Sequence, residues 1–209
     1  MPHGVPSGGD WGLARVGAIR IEGAEGVAVT NSLFWRCDGT AVSINGYARD
    51  TVVDANEFVW SGEGAVASWG KTQGADATAM QQPLRTRMTG NLCHEIGHYE
   101  KQVSCYFAAV SGQAYIADNI FYNMPRAGIN FNDDATGGSR LTRNLMWNTC
   151  RESQDHGPFN SWGRVPYLVP QLNGSAGTGM KREFDEISSN FFVAGGGANG
   201  GALDHDDGE

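Results

Sequence analysis

"TRMTGNLCHEIGH", Thr86–His98, carries two incompatible instructions. Its second half holds His94-Glu95-x-x-His98, a spacing that on an α-helix sets two imidazoles on one face to bind zinc, with the glutamate as general base. Its first half, an alternating run that ends in glycine and asparagine, reads as a β-strand entering a turn. The rest of the chain decides for the strand. Six segments share the phrase: "GVAVTNSLFW" (Asn31), "TVVDANEFVW" (Asn56), "TRMTGNLCHE" (Asn91), "AYIADNIFYN" (Asn119), "SRLTRNLMWN" (Asn144) and "DEISSNFFVA" (Asn190). The asparagines are 25, 35, 28, 25 and 46 residues apart. Each ends a short alternating strand and precedes apolar residues. A glycine and a further short strand usually follow: "GTAVSIN", "GAVASWG", "AGINFND", "GPFNSWG" and "GALDHDD".

Short strands repeating at this period, with variable insertions, predict an all-β parallel β-helix, a solenoid of about six rungs carrying loops. Equivalent residues then stack at about 4.8 Å, and each asparagine amide bonds its neighbours above and below at a bend. The HExxH string falls on a strand and its bend, with Gly97 at the turn, so no metal site is assigned there. "MKREFDEISSN" is amphipathic enough to suggest one helical turn in the longest gap. The 209 residues read as one β-helix domain. Its stop within the acidic "LDHDDGE", with no polar cap, suggests a piece of a longer coil.

Acidic residues outnumber basic ones by 23 to 15, giving a net charge of -8, which argues against nucleic acid as a partner. No apolar run is long enough to span a membrane, and the first residues lack the apolar stretch of a secretory signal. The four cysteines, Cys37, Cys93, Cys105 and Cys150, are scattered without C-x-x-C spacing and read as buried free thiols.

Stacking predicts which distant residues meet. Seven residues beyond each asparagine lie Asp38, Glu63, His98, Arg126, Arg151 and Gly197, one column if the register holds. Stacked Arg126 and Arg151 would repel unless Glu152, Asp155 or an anion lay between them. That describes either a neutralised surface ladder or a clamp for a sugar acid. In the strand after the glycine, Val42, Val66, Ile129, Phe159 and Leu203 point inward. Ser43, Ala67, Asn130, Asn160 and Asp204 form one outward column; Asn45, Trp69, Asn132, Trp162 and Asp206 form the next. The polar residues thicken toward the C-terminal rungs, where "NDDATGGSR", "CRESQDHGPF", "NSWGR" and "DHDDGE" add carboxylates, a histidine and arginines.

That mixture suits a carbohydrate: polar groups for hydroxyls and an exposed aromatic ring for the sugar's C–H face. Candidate catalytic residues are Asp133, Asp134, Asp155, His156 and Asp206. Arg126, Asn130, Asn132, Arg151, Glu152, Asn160, Arg164 and Asp204 would bind substrate, with Trp162 as the stacking platform. Asp133/Asp134 and Asp206/Asp207 lie two rungs, about 9–10 Å, apart, near the upper end of the carboxyl separation of inverting glycosidases. Asp155, on the rung between, would make the shorter separation of retaining enzymes. The same letters also fit plain turns or a calcium-bound turn.

"VGAIRIEGAEGVAVTNSLF" (16–34), "PRAGINFNDDATGG" (125–138) and "CRESQDHGPFNSWGR" (150–164) resemble right-handed parallel β-helix proteins of the pectin-lyase-like superfamily. The resemblance covers nearly the whole chain and implies a carbohydrate-active protein. Asn132-Asp133-Asp134 and Asp155-His156-Gly157 echo the N-x-D, D-D and G-H-G signatures of its polygalacturonase-like members, in a different order and without an R-I-K element. Only the expectation of a glycan substrate, met outside the cell, transfers. A glycoside hydrolase needing no cofactor is the leading expectation. A polysaccharide lyase, with Ca²⁺ or arginine neutralising a uronate and Lys101 or His156 as base, and a non-catalytic glycan-binding module are the alternatives.

Overall fold

The structure is a computed structural model that describes residues 15–153, 156–170, 178–179, 183–193 and 201–206. The described residues contain no helix. Three parallel sheets carry the chain. Sheet I orders Gly17–Glu25, Thr40–Arg49, Val66–Trp69, Tyr106–Ala109, Ile129–Asn132, Phe159–Trp162 and Leu203–His205, with Pro83–Leu84 added beside Thr40–Arg49. Sheet II orders Ala28–Thr30, Val52–Asp54, Arg87–Thr89, Tyr115–Ala117, Arg140–Thr142 and Glu186–Ser188. Sheet III orders Leu33–Trp35, Glu57–Val59, Leu92–His94, Ile120–Tyr122, Leu145–Trp147 and Phe191–Phe192. The chain visits II, III and I in turn and then returns to II, an arrangement consistent with a β-solenoid. Among the described residues no helix is long and apolar enough to cross a membrane.

The core is the inward file of every sheet. Val53, Met88, Ile116 and Leu141 come from sheet II, Phe58, Phe121 and Met146 from sheet III, and Val42, Val66, Ile129 and Phe159 from sheet I; all are buried. On the outer side of sheet III the His94, Tyr122 and Trp147 rings stack at 4.7 and 4.4 Å, as parallel registration requires of equivalent side chains.

The amides at the corner between sheets II and III form a continuous ladder. Asn56, Asn91, Asn119 and Asn144 are buried, and each side-chain nitrogen donates to the amide oxygen of the next, at 3.1, 2.9, 2.9 and 2.9 Å. The same nitrogens donate backward to the carbonyls of Val29, Val53, Met88 and Ile116. Every donor and acceptor is thereby satisfied away from water, which is why this residue type recurs.

Four expectations need correction. The first ladder position is Ser32, whose N–H reaches Asn56 Oδ1 at 3.0 Å; Asn31 is the preceding corner residue, at φ 50°. The corner demands a left-handed residue, a role taken later by Ala55, Gly90, Asp118 and Arg143, and asparagine tolerates that conformation well enough to mimic the ladder residue. Secondly, "CYFAAV" supplies the sheet I strand Tyr106–Ala109, so the outward columns also contain Phe107 and Ala109. Thirdly, the described residues of "MKREFDEISSN" hold the strand Glu186–Ser188 and no helix. Fourthly, Cys93 and Cys105 form a disulfide, with Cα atoms 6.1 Å apart, while Cys37 and Cys150 are not disulfide-bonded. Both bonded cysteines are fully buried, one in a sheet III strand and the other just before the sheet I strand of the same circuit. Their separation of 12 residues gave no sign that they meet across the core.

Closing so short a loop is worth about 3 kcal/mol. Cys93→Ala/Cys105→Ala is therefore expected to lower the urea-unfolding free energy by about 2–4 kcal/mol, and dithiothreitol to do the same to the wild type. Coincident unfolding curves with and without reductant would contradict a structural role for this bond.

Candidate functional site

The outer face of sheet I is built by the registers Asn130↔Asn160↔Asp204 and Asn132↔Trp162. The predicted columns are thus real, but their surroundings differ from expectation. Asn130, Asn132, Asn160 and Trp162 are buried, as are Trp69 and Phe107 in the preceding coils. Trp69 and Phe107 pack at 4.5 Å, the Arg15 guanidinium lies 4.7 Å over Trp69, and that of Arg164 lies 4.5 Å over Trp162. Trp162, at 2% exposure, is not an open stacking platform. Alternation fixes the side of a sheet on which a residue stands; it does not say whether loops cover that side.

One end of this face is polar and reaches solvent. His156 Nδ1 lies 3.0 Å from Asp204 Oδ2, and Asn160 Nδ2 donates to the same oxygen at 3.1 Å. The Arg126 guanidinium contacts His156 Nε2 and donates to Ser153 Oγ at 2.9 Å. Guanidinium is only a donor, so Nε2 accepts and Nδ1 carries the proton that points to Asp204. Arg126 and His156 are buried, whereas the Asp204 side chain retains 25% exposure. Gly157 permits this packing, because a Cβ there would strike the Gly201 carbonyl. Cys150 Sγ adds a contact of 2.8 Å to the His156 carbonyl.

The remaining predicted residues scatter. Asp133 is wholly buried and its Oδ1 accepts the backbone N–H groups of Arg164 and Val165 at 2.7 and 3.0 Å, so it anchors the loop after Trp162. Its charge, second to burial, pushes the Tyr167 phenol well above its ordinary range. Asp134 caps its own turn through the Thr136 N–H at 2.9 Å and lines a narrow cleft with Ser111, Asn132 and Ser139. Arg151 and Arg126 do not stack: Arg126 turns inward to His156, while exposed Arg151 lies 3.5 Å from Glu95. Glu152 pairs with Lys101 at 3.0 Å. Asp206 is exposed, and its N–H continues the parallel ladder onto Ser161 at 2.8 Å. Asp155 and Asp207 lie outside the described residues.

The HExxH residues also part. His94 approaches Glu57 at 3.3 Å and stacks on Tyr122, Glu95 contacts Asn123, and His98 stacks on Trp60 at 5.2 Å. Among the described residues no group of three His, Cys, Asp or Glu side chains is placed to hold a metal ion.

No protein-family model, curated protein or solved structure matches the chain. The reading of this site therefore rests on its own geometry. The sequence signal for Asp204 was present in the outward column, but its attachment to His156, 48 residues away, was not.

Proposed function

We propose that the protein is a right-handed parallel β-helix of the pectin-lyase-like kind that hydrolyses glycosidic bonds in a polysaccharide or oligosaccharide. Right-handedness follows from the general bias of crossovers between parallel strands. The observation that carries the activity is the Asp204 carboxylate, partly open to solvent yet held by His156 and Asn160, with Arg126 behind the histidine. Asp206 stands two residues further, just past the strand, where its N–H continues the parallel ladder onto Ser161, so alternation sets its side chain on the side of Asp204. Two carboxyl groups on one face can supply the acid and the base or nucleophile of glycoside hydrolysis. Asp204 replaces Asp133 in the pair, because Asp133 spends its lone pairs on buried backbone donors. Arg126 and Asn160 act as positioning residues. The buried disulfide favours an oxidising compartment and so a substrate outside the cytosol.

Release of reducing ends from a glycan panel tests this. Asp204→Asn and Asp206→Asn are each expected to reduce turnover at least about 100-fold. Wild-type rates in both variants would end the assignment. A product absorbing in the ultraviolet and dependent on Ca²⁺ would make the chemistry β-elimination instead.

A further inference from the structure

We infer that the corner between sheets III and I in the first coils holds a separate pocket for one pyranose ring of a glycan. The inference rests on the glycan reading above and gives it a second point of attachment. The pocket has a volume of about 270 Å³ and is lined by Arg36, Cys37, Asp38, Trp60, His98 and Tyr99. That is just below the range of about 300–1,000 Å³ usual for small-molecule sites, the size for a single ring.

Its walls are aromatic and do not belong to the core. Trp60 keeps 47% exposure and Tyr99 77%, although large rings are normally withdrawn from water. Trp60 also holds φ at 61°, a region costly for a bulky residue. The loop 96–101 folds back over this corner through the N–H groups of His98 and Tyr99, which donate to the Ser61 and Gly62 carbonyls at 3.2 and 2.9 Å. Gly62 is needed for that approach: a Cβ there would collide with the Asp38 carbonyl and the Tyr99 ring. The chain thus fixes three rings around a hollow, with His98 braced on Trp60.

The rim is polar and of mixed charge. Asp38 is an exposed carboxylate, and the Arg36 guanidinium is steadied 4.8 Å over the Trp35 ring. A purely apolar ligand would leave both charges unanswered, an anion would face Asp38, and a cation would face Arg36. A hydroxyl-rich ring answers all of it, with hydroxyls on the carboxylate and guanidinium and C–H groups on the aromatic faces. Trp60, at the middle of the three coils that line the pocket, leads into Val66–Trp69, four strand steps before the Asp204 strand in sheet I, about 19 Å along the axis. Longer oligosaccharides would therefore gain from it most.

The test is calorimetric titration of the full chain with size series of cello-, xylo- and galacto-oligosaccharides, on wild type, Trp60→Ala, Tyr99→Ala and Asp204→Asn. Tyr99→Ala guards against a folding defect, since that ring is largely exposed. The expected result is that one series binds wild type and still binds the turnover-deficient Asp204→Asn, and that both aromatic variants bind it at least tenfold more weakly with an unchanged melting temperature. The inference is overturned if no series binds wild type, or if the aromatic variants retain its affinity. Turnover separates the two ideas. Hydrolysis with Trp60→Ala affinity unchanged removes the pocket and leaves the enzyme, whereas Trp60-dependent binding without hydrolysis does the reverse.

Discussion

Asn119→Ala is expected to lose about 4–6 kcal/mol of unfolding free energy. The Asn119 side chain donates to Asn144 Oδ1 and to the Met88 carbonyl, both at 2.9 Å. Its oxygen accepts the Asn91 backbone N–H and side-chain amide, also at 2.9 Å. Alanine takes the side-chain partner from the buried Asn91 N–H and from the Met88 carbonyl, whereas Asn144 Oδ1 keeps the Asn119 backbone N–H and the Asn91 side-chain nitrogen keeps the Val53 and Thr89 carbonyls. An unsatisfied buried polar group costs about 1–3 kcal/mol, so two such losses near the upper limit reach the stated range. A domain of ordinary stability, about 5–15 kcal/mol, would be left near its threshold. The melting temperature should fall by about 10–20 °C at roughly 2–4 °C per kcal/mol. Asn119→Asp should be no better, because it turns a donor toward two acceptors into a third acceptor. A change below 1 kcal/mol in urea titrations would show that the ladder decorates the corner and does not support it.

Arg126→Ala should cost about 3–5 kcal/mol and, unlike the Asn119 change, should also silence the site. Arg126 is 2% exposed and its guanidinium meets His156 Nε2 and Ser153 Oγ, so truncation leaves a cavity and takes one partner from each of them. His156 in turn fixes Asp204, so turnover should drop even where the variant is still folded at low temperature. Arg126→Lys keeps the charge but lacks the planar fork that meets the ring nitrogen and the hydroxyl together, and it should recover stability only in part. A variant as stable and as active as wild type would mean that His156 is held by its other contacts alone.

The fold was legible because stacking converts period into neighbourhood. Once "TRMTGN" is matched with "SRLTRN" and "AYIADN", the inward and outward files follow from alternation; the register pairs the residues read from Val42 to Leu203 and from Ser43 to Asp204, with Tyr106 and Phe107 added to the files and Leu203 exposed in the last coil. The slip at Asn31 has a physical origin: the corner residue and the ladder residue are adjacent, and asparagine satisfies either role. Legibility failed beyond the sheet III strands, where the chain leaves the regular coil. There Arg126 and Arg151, equivalent by counting, turn in opposite directions, because loop conformation and not period decides their course. The disulfide and the His156–Asp204 contact were hidden for the same reason: each depends on a path through irregular residues. Burial of Trp162 was invisible because loops roofed a face that the strand pattern left formally outside.

The amide ladder has one more implication. From Asn56 onward each storey is joined to the next by the same pair of donations, running from the lower-numbered asparagine to the oxygen of the higher. A joint that never changes makes length a quantised variable. Excising or duplicating the 25 residues that separate Asn119 from Asn144 swaps one joint for its twin, while a single-residue slip within a strand turns its whole inner wall outward. Such a molecule grows or shrinks by entire storeys, and only its balconies, the irregular loops, are free to vary residue by residue.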